Sequence, residues 1–160
     1  MRPDRRERSR FKSGLIVSDS SRTTLVGTAP FLTAAGARVV LDAALAEAAR
    51  IGVPQCVAVV DGSGFLLAFG RSDGARLGSI SIALTKAVSA ATRRRPTAEE
   101  GGGDPIAQIR LALAGDAITG IGGGLPILVD GQVAGAIGVS SGTVEEDTMV
   151  ARAGLAALAP

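Results

Sequence analysis

The chain contains no histidine, no tryptophan and no tyrosine, and Cys56 is its single cysteine. Without histidine, Ser-His-Asp and Cys-His catalysis are excluded, and the commonest general base and metal ligand are gone. One cysteine permits neither an intrachain disulfide nor a cysteine-built zinc cluster, so no metal site is predicted. Aromatic residues make up only 2% of the chain, which leaves no platform for stacking nucleobases. The 46% of apolar residues must therefore build a core from Ala, Val, Ile and Leu. No apolar run reaches the length of a membrane span. The short apolar segment Gly14 to Val17 falls short of a signal peptide, and the twin arginine Arg5-Arg6 has no apolar region behind it. The expectation is a cytoplasmic protein that touches neither membrane nor nucleic acid.

What is present begins with charge. The net charge of +2 hides an asymmetry: residues 1–12 hold six basic and two acidic groups, so the remainder is net negative. Residues 1–30 read as a basic, mobile arm followed by a Ser/Thr/Gly-rich linker, with Leu15 to Val17 a candidate edge strand. Residues 31–160 read as one domain, a length that suits a single core.

Thr33 to Arg50 has the spacing of a helix, with Ala37, Val40, Leu41, Ala44, Leu45 and Ala48 on one face and Gly52 and Pro54 as the stop. Cys56 to Val60 and Phe65 to Phe69 flank Asp61-Gly62-Ser63-Gly64 as a hairpin. Cys56 reads as a small buried hydrophobe, since nothing nearby could activate it. Arg71-Ser72-Asp73-Gly74-Ala75 follows. Arg71 could fork onto a ligand carboxylate, or Arg71 and Asp73 could pin the loop. Gly78 to Arg94 reads as a second helix whose core face carries Ile80, Ala83, Leu84, Ala87 and Ala91, with Ile82 and Val88 widening the apolar surface. Lys86 is the lone charge between Leu77 and Thr92. It either forms a salt bridge or reaches solvent, or it sits in a pocket as a candidate base or amine nucleophile. Beyond Arg93-Arg94-Arg95-Pro96, residues 97–104 with Glu99 and Glu100 read as a loop, 105–114 as a short helix and Ile118 to Ile121 as a further strand.

The segment Gly122 to Gly142 reads as two strands, Leu125 to Val129 and Val133 to Val139, around an Asp130-Gly131 turn. Val129-Asp130-Gly131 echoes Val60-Asp61-Gly62, so the domain reads as a twofold repeat of hairpin plus helix. Thr143 with Glu146 is a capping-box pattern opening the last helix, which places Val150, Ala153, Gly154, Ala157 and Leu158 inward. The N–H groups of Gly122 to Gly124 either serve strand entry or cradle an anion.

These segments resemble a known family. GGGLPI, VDGQVAGAIGVSSG and EED, together with VAVVDGSGFLLAFGRSDGA, the SISIALTKA helix and RRRPT, are similar to the GlcG/HbpS-like family of haem-binding-type proteins, over roughly residues 32–158. The same domain ends PduO-type corrinoid adenosyltransferases. The resemblance implies an α/β (α+β), profilin-like domain: an antiparallel sheet of about five strands, with helices mainly on one face. It also implies a homo-oligomer, tetramer or octamer, binding a small molecule such as haem, another tetrapyrrole or a flat organic acid. Asp147 matches the family's recurrent acid and is expected to hold the glycine-rich turn. The expected ligand-binding residues are Arg71, Lys86, Gly123, Gly124 and Asp147. The alternative is a cofactor-independent lyase, isomerase or hydrolase on a small carboxylated or aromatic metabolite, with Lys86, Asp73 and Glu145 as proton carriers. A haem cofactor would have to do without His or Tyr as axial ligand.

Overall fold

The computed structural model describes residues 27–98 and 118–159. Thr33 opens α1 (Ala34–Arg50), its hydroxyl accepting from the Gly36 N–H at 3.0 Å. Ala37, Val40, Ala44 and Ala48 are buried along one face, and Leu41 and Leu45 pack at its margin, as the spacing predicts. β1 (Cys56–Asp61) and β2 (Leu66–Arg71) form the first hairpin. The Asp61 carboxylate closes its turn by accepting from the Ser63 and Phe65 N–H groups. Then come α2 (Ser79–Arg93), the second hairpin of β3 (Gly124–Val129) and β4 (Gln132–Ser140), and α3 (Val144–Ala156). Asp130 and Gly131 both have positive φ, 50° and 76°, which gives the two-residue turn the sequence predicts. Thr143 and Glu146 form the complete capping box of α3.

The sheet runs β2-β1-β4-β3, antiparallel throughout. Each hairpin supplies one inner strand, and β1 pairs with β4 to join the two repeats. The described residues thus hold four strands where about five were expected. Ile118 to Ile121 does not join the sheet. Its polar groups find side chains instead: the Thr119 N–H donates to Ser89 Oγ, and Ile121 O accepts from Thr97 Oγ1. The candidate strand at Leu15 to Val17, the arm, the loop from Glu99 to Asp104 and the helix over 105–114 lie outside the described residues.

Helices cover both faces, which corrects the expectation of one mainly covered face. Val57, Val59, Ile137 and Val139 meet α1 and α3 on one side. Cys56, Ala58, Val60 and Ala136 meet α2 on the other. Both inner strands are therefore apolar at successive positions rather than alternating, as a strand buried on two faces requires. Burying a Val or Ile side chain contributes roughly 1.5–3 kcal/mol, so this α1/α3 layer holds most of the aliphatic driving force.

The α2 layer is thinner. A Cβ at Gly138 would collide with Ala83 O and Ala87 N, and one at Gly124 would lie 2.5 Å from Lys86 O. The helix backbone presses on the sheet, so apart from Lys86 the residues buried along it are small: Ser79, Ala83, Ala87, Ser89, Ala90 and Ala91. Ile80 and Leu84, expected on the core face, are instead exposed along its flank, as is Ile82. On α3, Val150 and Gly154 are buried as predicted, while Ala157 and Leu158 lie beyond the helix end and are exposed.

Gly138→Ala is expected to lower unfolding stability by at least about 3 kcal/mol, because backbone of a packed helix must move to admit one methyl group. Gly78→Ala, with open space around it and negative φ, should stay within about 1 kcal/mol of the parent. Urea denaturation of the two variants measures the difference, and equal midpoints would contradict the close approach of α2.

Candidate functional site

The buried polar groups converge at the end of the sheet where β4 runs into α3. Lys86 enters from α2 with 1% of its surface exposed. Its Nζ donates to Asp147 Oδ2 at 2.6 Å and to Val139 O at 2.8 Å. Asp147, in the first turn of α3, also accepts at Oδ1 from Gln55 Nε2 (3.2 Å) and from the Gly142 N–H (3.0 Å). One ion pair thus ties α2, the last residues of β4, the approach to β1 and the N-terminus of α3.

Burial pushes the Lys86 amine below its ordinary pKa, and the neighbouring Asp147 carboxylate pulls it back up. Burial likewise raises the Asp147 carboxyl, against the ammonium of Lys86 and the Gly142 N–H. Three donors converge on that carboxylate, which is the arrangement a charged acceptor needs in a dry interior.

The surrounding backbone is shaped to this knot. Gly123 has φ of 104°, and a Cβ there would stand 2.8 Å from Asp147 Cβ and 3.1 Å from Lys86 Nζ. The Gly124 N–H donates to Thr97 Oγ1, and its carbonyl accepts from the Thr97 N–H. Both glycines therefore have a packing and hydrogen-bonding reason of their own. Ser141 is held at φ 113°, a region that side chains avoid. Its Oγ accepts from the Arg76 N–H at 3.0 Å, and the next N–H is taken by Asp147. Strain of this kind, on the order of 1–3 kcal/mol, persists only where neighbours enforce it.

The expected site residues divide into two groups. Lys86, Asp147, Gly123 and Gly124 come together, with Asp147 accepting from the Gly142 N–H in the turn after β4 and Lys86 in the salt bridge. Arg71, Asp73 and Glu145 are exposed and stand apart from that knot. Arg71 and Asp73 form no ion pair with each other; among the described residues the ion pairs are Lys86 with Asp147 and Arg50 with Glu47. The proton carriers of the enzymatic alternative are thus not assembled around Lys86. Cys56 is wholly buried, its Sγ 3.9 Å from Arg76 O, and burial raises its thiol pKa. Gln55 was missed by sequence reasoning. A glutamine between Pro54 and an apolar strand carries no local signal, although it is fully buried and Oε1 has no partner among the described residues.

A four-stranded antiparallel sheet between helices, locked by a buried Lys–Asp pair, defines the class: a small α/β domain built from two hairpin-and-helix repeats. The chain belongs to the HbpS-like family, whose model, described as haem degrading protein HbpS-like, matches residues 32–156. An uncharacterised 15.0 kDa protein from the dhaT-dhaS intergenic region of Citrobacter freundii is 38% identical over 130 residues, covering 78% of this chain and 89% of its own. GlcG of Escherichia coli K12 is 35% identical over 105 residues, covering 65% and 77%. The corrinoid adenosyltransferase PduO of Salmonella typhimurium is 32% identical over 120 residues, 72% of this chain but only 35% of that protein. Among solved structures, a double mutant of HbpS from Streptomyces reticuli superposes with TM-score 0.72 at 29% identity, covering 92% of this chain and all of that one. The protein ORFY of Klebsiella pneumoniae gives 0.72 at 32% identity, covering 89% and 97%. A complex of PduOC with haem gives 0.68 at 24% identity, covering 80% and 95%, a likeness of fold.

Removing one member of the buried pair strands the other. Asp147→Asn and Lys86→Met should each cost about 3–5 kcal/mol, while the two combined should recover a large part of that loss. Equilibrium denaturation of the three variants provides the cycle, and strictly additive losses would contradict the pairing.

Proposed function

We propose that this protein is a small-molecule-binding homo-oligomer of the HbpS type, whose ligand is a tetrapyrrole or another flat organic acid. Membership of the HbpS-like family is the observation that carries this reading. The arrangement of titratable groups supports binding over catalysis. Lys86 and Asp147 satisfy each other in the interior, and Asp73 and Glu145 lie in solvent.

Haem itself requires a test of donors. The sequence has no His and no Tyr. Cys56 is enclosed with its thiol pKa raised, and the Lys86 amine is engaged by Asp147 and Val139. Met149, half exposed on α3, leaves a lone thioether on an open helix surface. The described residues therefore do not fit a strong axial bond to iron. A tetrapyrrole would be held through its apolar faces and its carboxylates, with Arg71 as the proposed cation. Lys86, Gly123, Gly124 and Asp147 then serve the ligand indirectly, by fixing the end of the sheet.

Assembly follows the same reasoning. Leu77 just before α2, Ile82 on it, and Leu128 and Val129 on β3 are exposed, apolar surface that a second copy would cover. A tetramer or octamer is the proposed form.

Recognition without an iron bond makes a definite prediction. Haem and metal-free protoporphyrin IX should bind with dissociation constants within about fivefold of each other, since a strong axial bond would separate them by tenfold for each 1.4 kcal/mol. Absorbance and fluorescence titrations, with native mass spectrometry reporting subunit count and any retained molecule, check this. Binding of neither compound, and no retained small molecule, would remove the proposal.

A further inference from the structure

Among the described residues, helix covers only part of the α2 face of the sheet. The helix lies over β1, β4 and β3, whereas β2 is packed from the opposite face by α1. Residues paired across β1 and β2 share a face, so register shows what β2 presents to the α2 side. Arg71 pairs with Cys56 and Phe69 with Ala58, and both partners belong to the core beneath α2. Between Val59 and Val60 the register slips: Val59 faces Ala68, and Val60 faces Leu66. This bulge turns Leu66 to the same side as Phe69 and sends Leu67 towards the α1 layer. Leu66 and Phe69 are left 52% and 38% exposed.

The flank of α2 facing β2 is fixed by Val88. A Cβ on Gly64, in the first hairpin's turn, would lie 3.4 Å from Val88 Cγ1. Counting back by four along the helix puts Leu84 and Ile80 on the same ridge. Those are the large aliphatics squeezed out from under α2, and both are exposed. The Arg71 end of β2 leads through residues 72–78 to the start of α2, so the arginine sits where this ridge begins. Arg71 is exposed and has no ion pair with a described residue.

We propose that this groove, walled by Leu66 and Phe69 on β2 and by Ile80, Leu84 and Val88 on α2, takes a flat, apolar, carboxylate-bearing molecule whose acid is paired by Arg71. The proposal rests on the binding function given above and assigns it a place. An apolar slot with a cation at one end complements a planar molecule with an acid at its margin. A guanidinium can meet that acid with two parallel hydrogen bonds.

Protoporphyrin IX is the probe, titrated against the parent chain and against Arg71→Glu, Leu84→Glu and Arg152→Glu. Arg152 is exposed on α3, away from the groove, and serves as the charge control. Arg71→Glu should weaken binding about 10- to 100-fold, the scale of a lost charge-assisted bond, and Leu84→Glu at least about tenfold. Arg152→Glu should stay within about threefold. All three replace exposed side chains, so unfolding midpoints and native masses should match the parent. Parent binding with both groove variants unchanged would overturn the groove while leaving the binding function standing. No binding by the parent would overturn both. Loss of the assembled mass in Leu84→Glu, with Arg71→Glu binding normally, would make the groove a contact between copies and overturn the assignment.

Discussion

The Lys86–Asp147 ion pair is the constraint on which the rest of this structure depends. It crosses the end of the sheet and joins the helix on one face to the helix on the other. Apolar packing alone would hold each layer to the sheet without fixing how the two layers sit along it. A buried charge has no such tolerance, because any slip leaves it unpaired in a dry interior. The strained Ser141 backbone, the positive φ of Gly123 and the capped start of α3 all lie within a few residues of this knot. Local strain and polar satisfaction are spent at one place.

The second constraint is distance. Gly138 and Gly124 let the α2 backbone settle against the sheet, and alanines fill what space is left. That approach brings Lys86 within reach of Val139 O and Asp147. It also displaces the large aliphatics of α2 to its flanks, where they become available to a ligand or to another copy of the chain. Structural economy on one side of the helix thus creates apolar surface on the other.

Local chemistry made much of this readable in the sequence. The Asp130-Gly131 turn, the Thr143–Glu146 capping box, the α1 face and the twofold hairpin-and-helix pattern each depend on residues close together in the chain, and each is present. The placement of α2 was not readable in the same way. Periodicity put Ile80 and Leu84 inward because they are larger and more apolar than the alanines, but glycine in a strand 50 residues away decides which side fits. The unbroken apolar run of Cys56 to Val60 did carry the signal of a strand covered on both faces. Lys86 was visible as an anomaly, a single charge on an apolar helix, and Asp147 as an acid in a first turn. Their partnership depends on tertiary contact, and Gln55 joins it with no sequence cue at all. The family resemblance, carried by motifs in both repeats, is borne out by the family match over residues 32–156.

Lysine reactivity tests the central claim most directly, because Lys12 and Lys86 are the chain's lysines. The protein is labelled with an amine-reactive reagent near neutral pH, and peptides are read by mass spectrometry with and without denaturant. The account predicts that Lys86 stays unlabelled in the native protein and reacts fully after unfolding. In native Asp147→Asn protein it should become measurably labelled. Ready labelling of Lys86 in the native parent chain would contradict a buried pair at the centre of the fold.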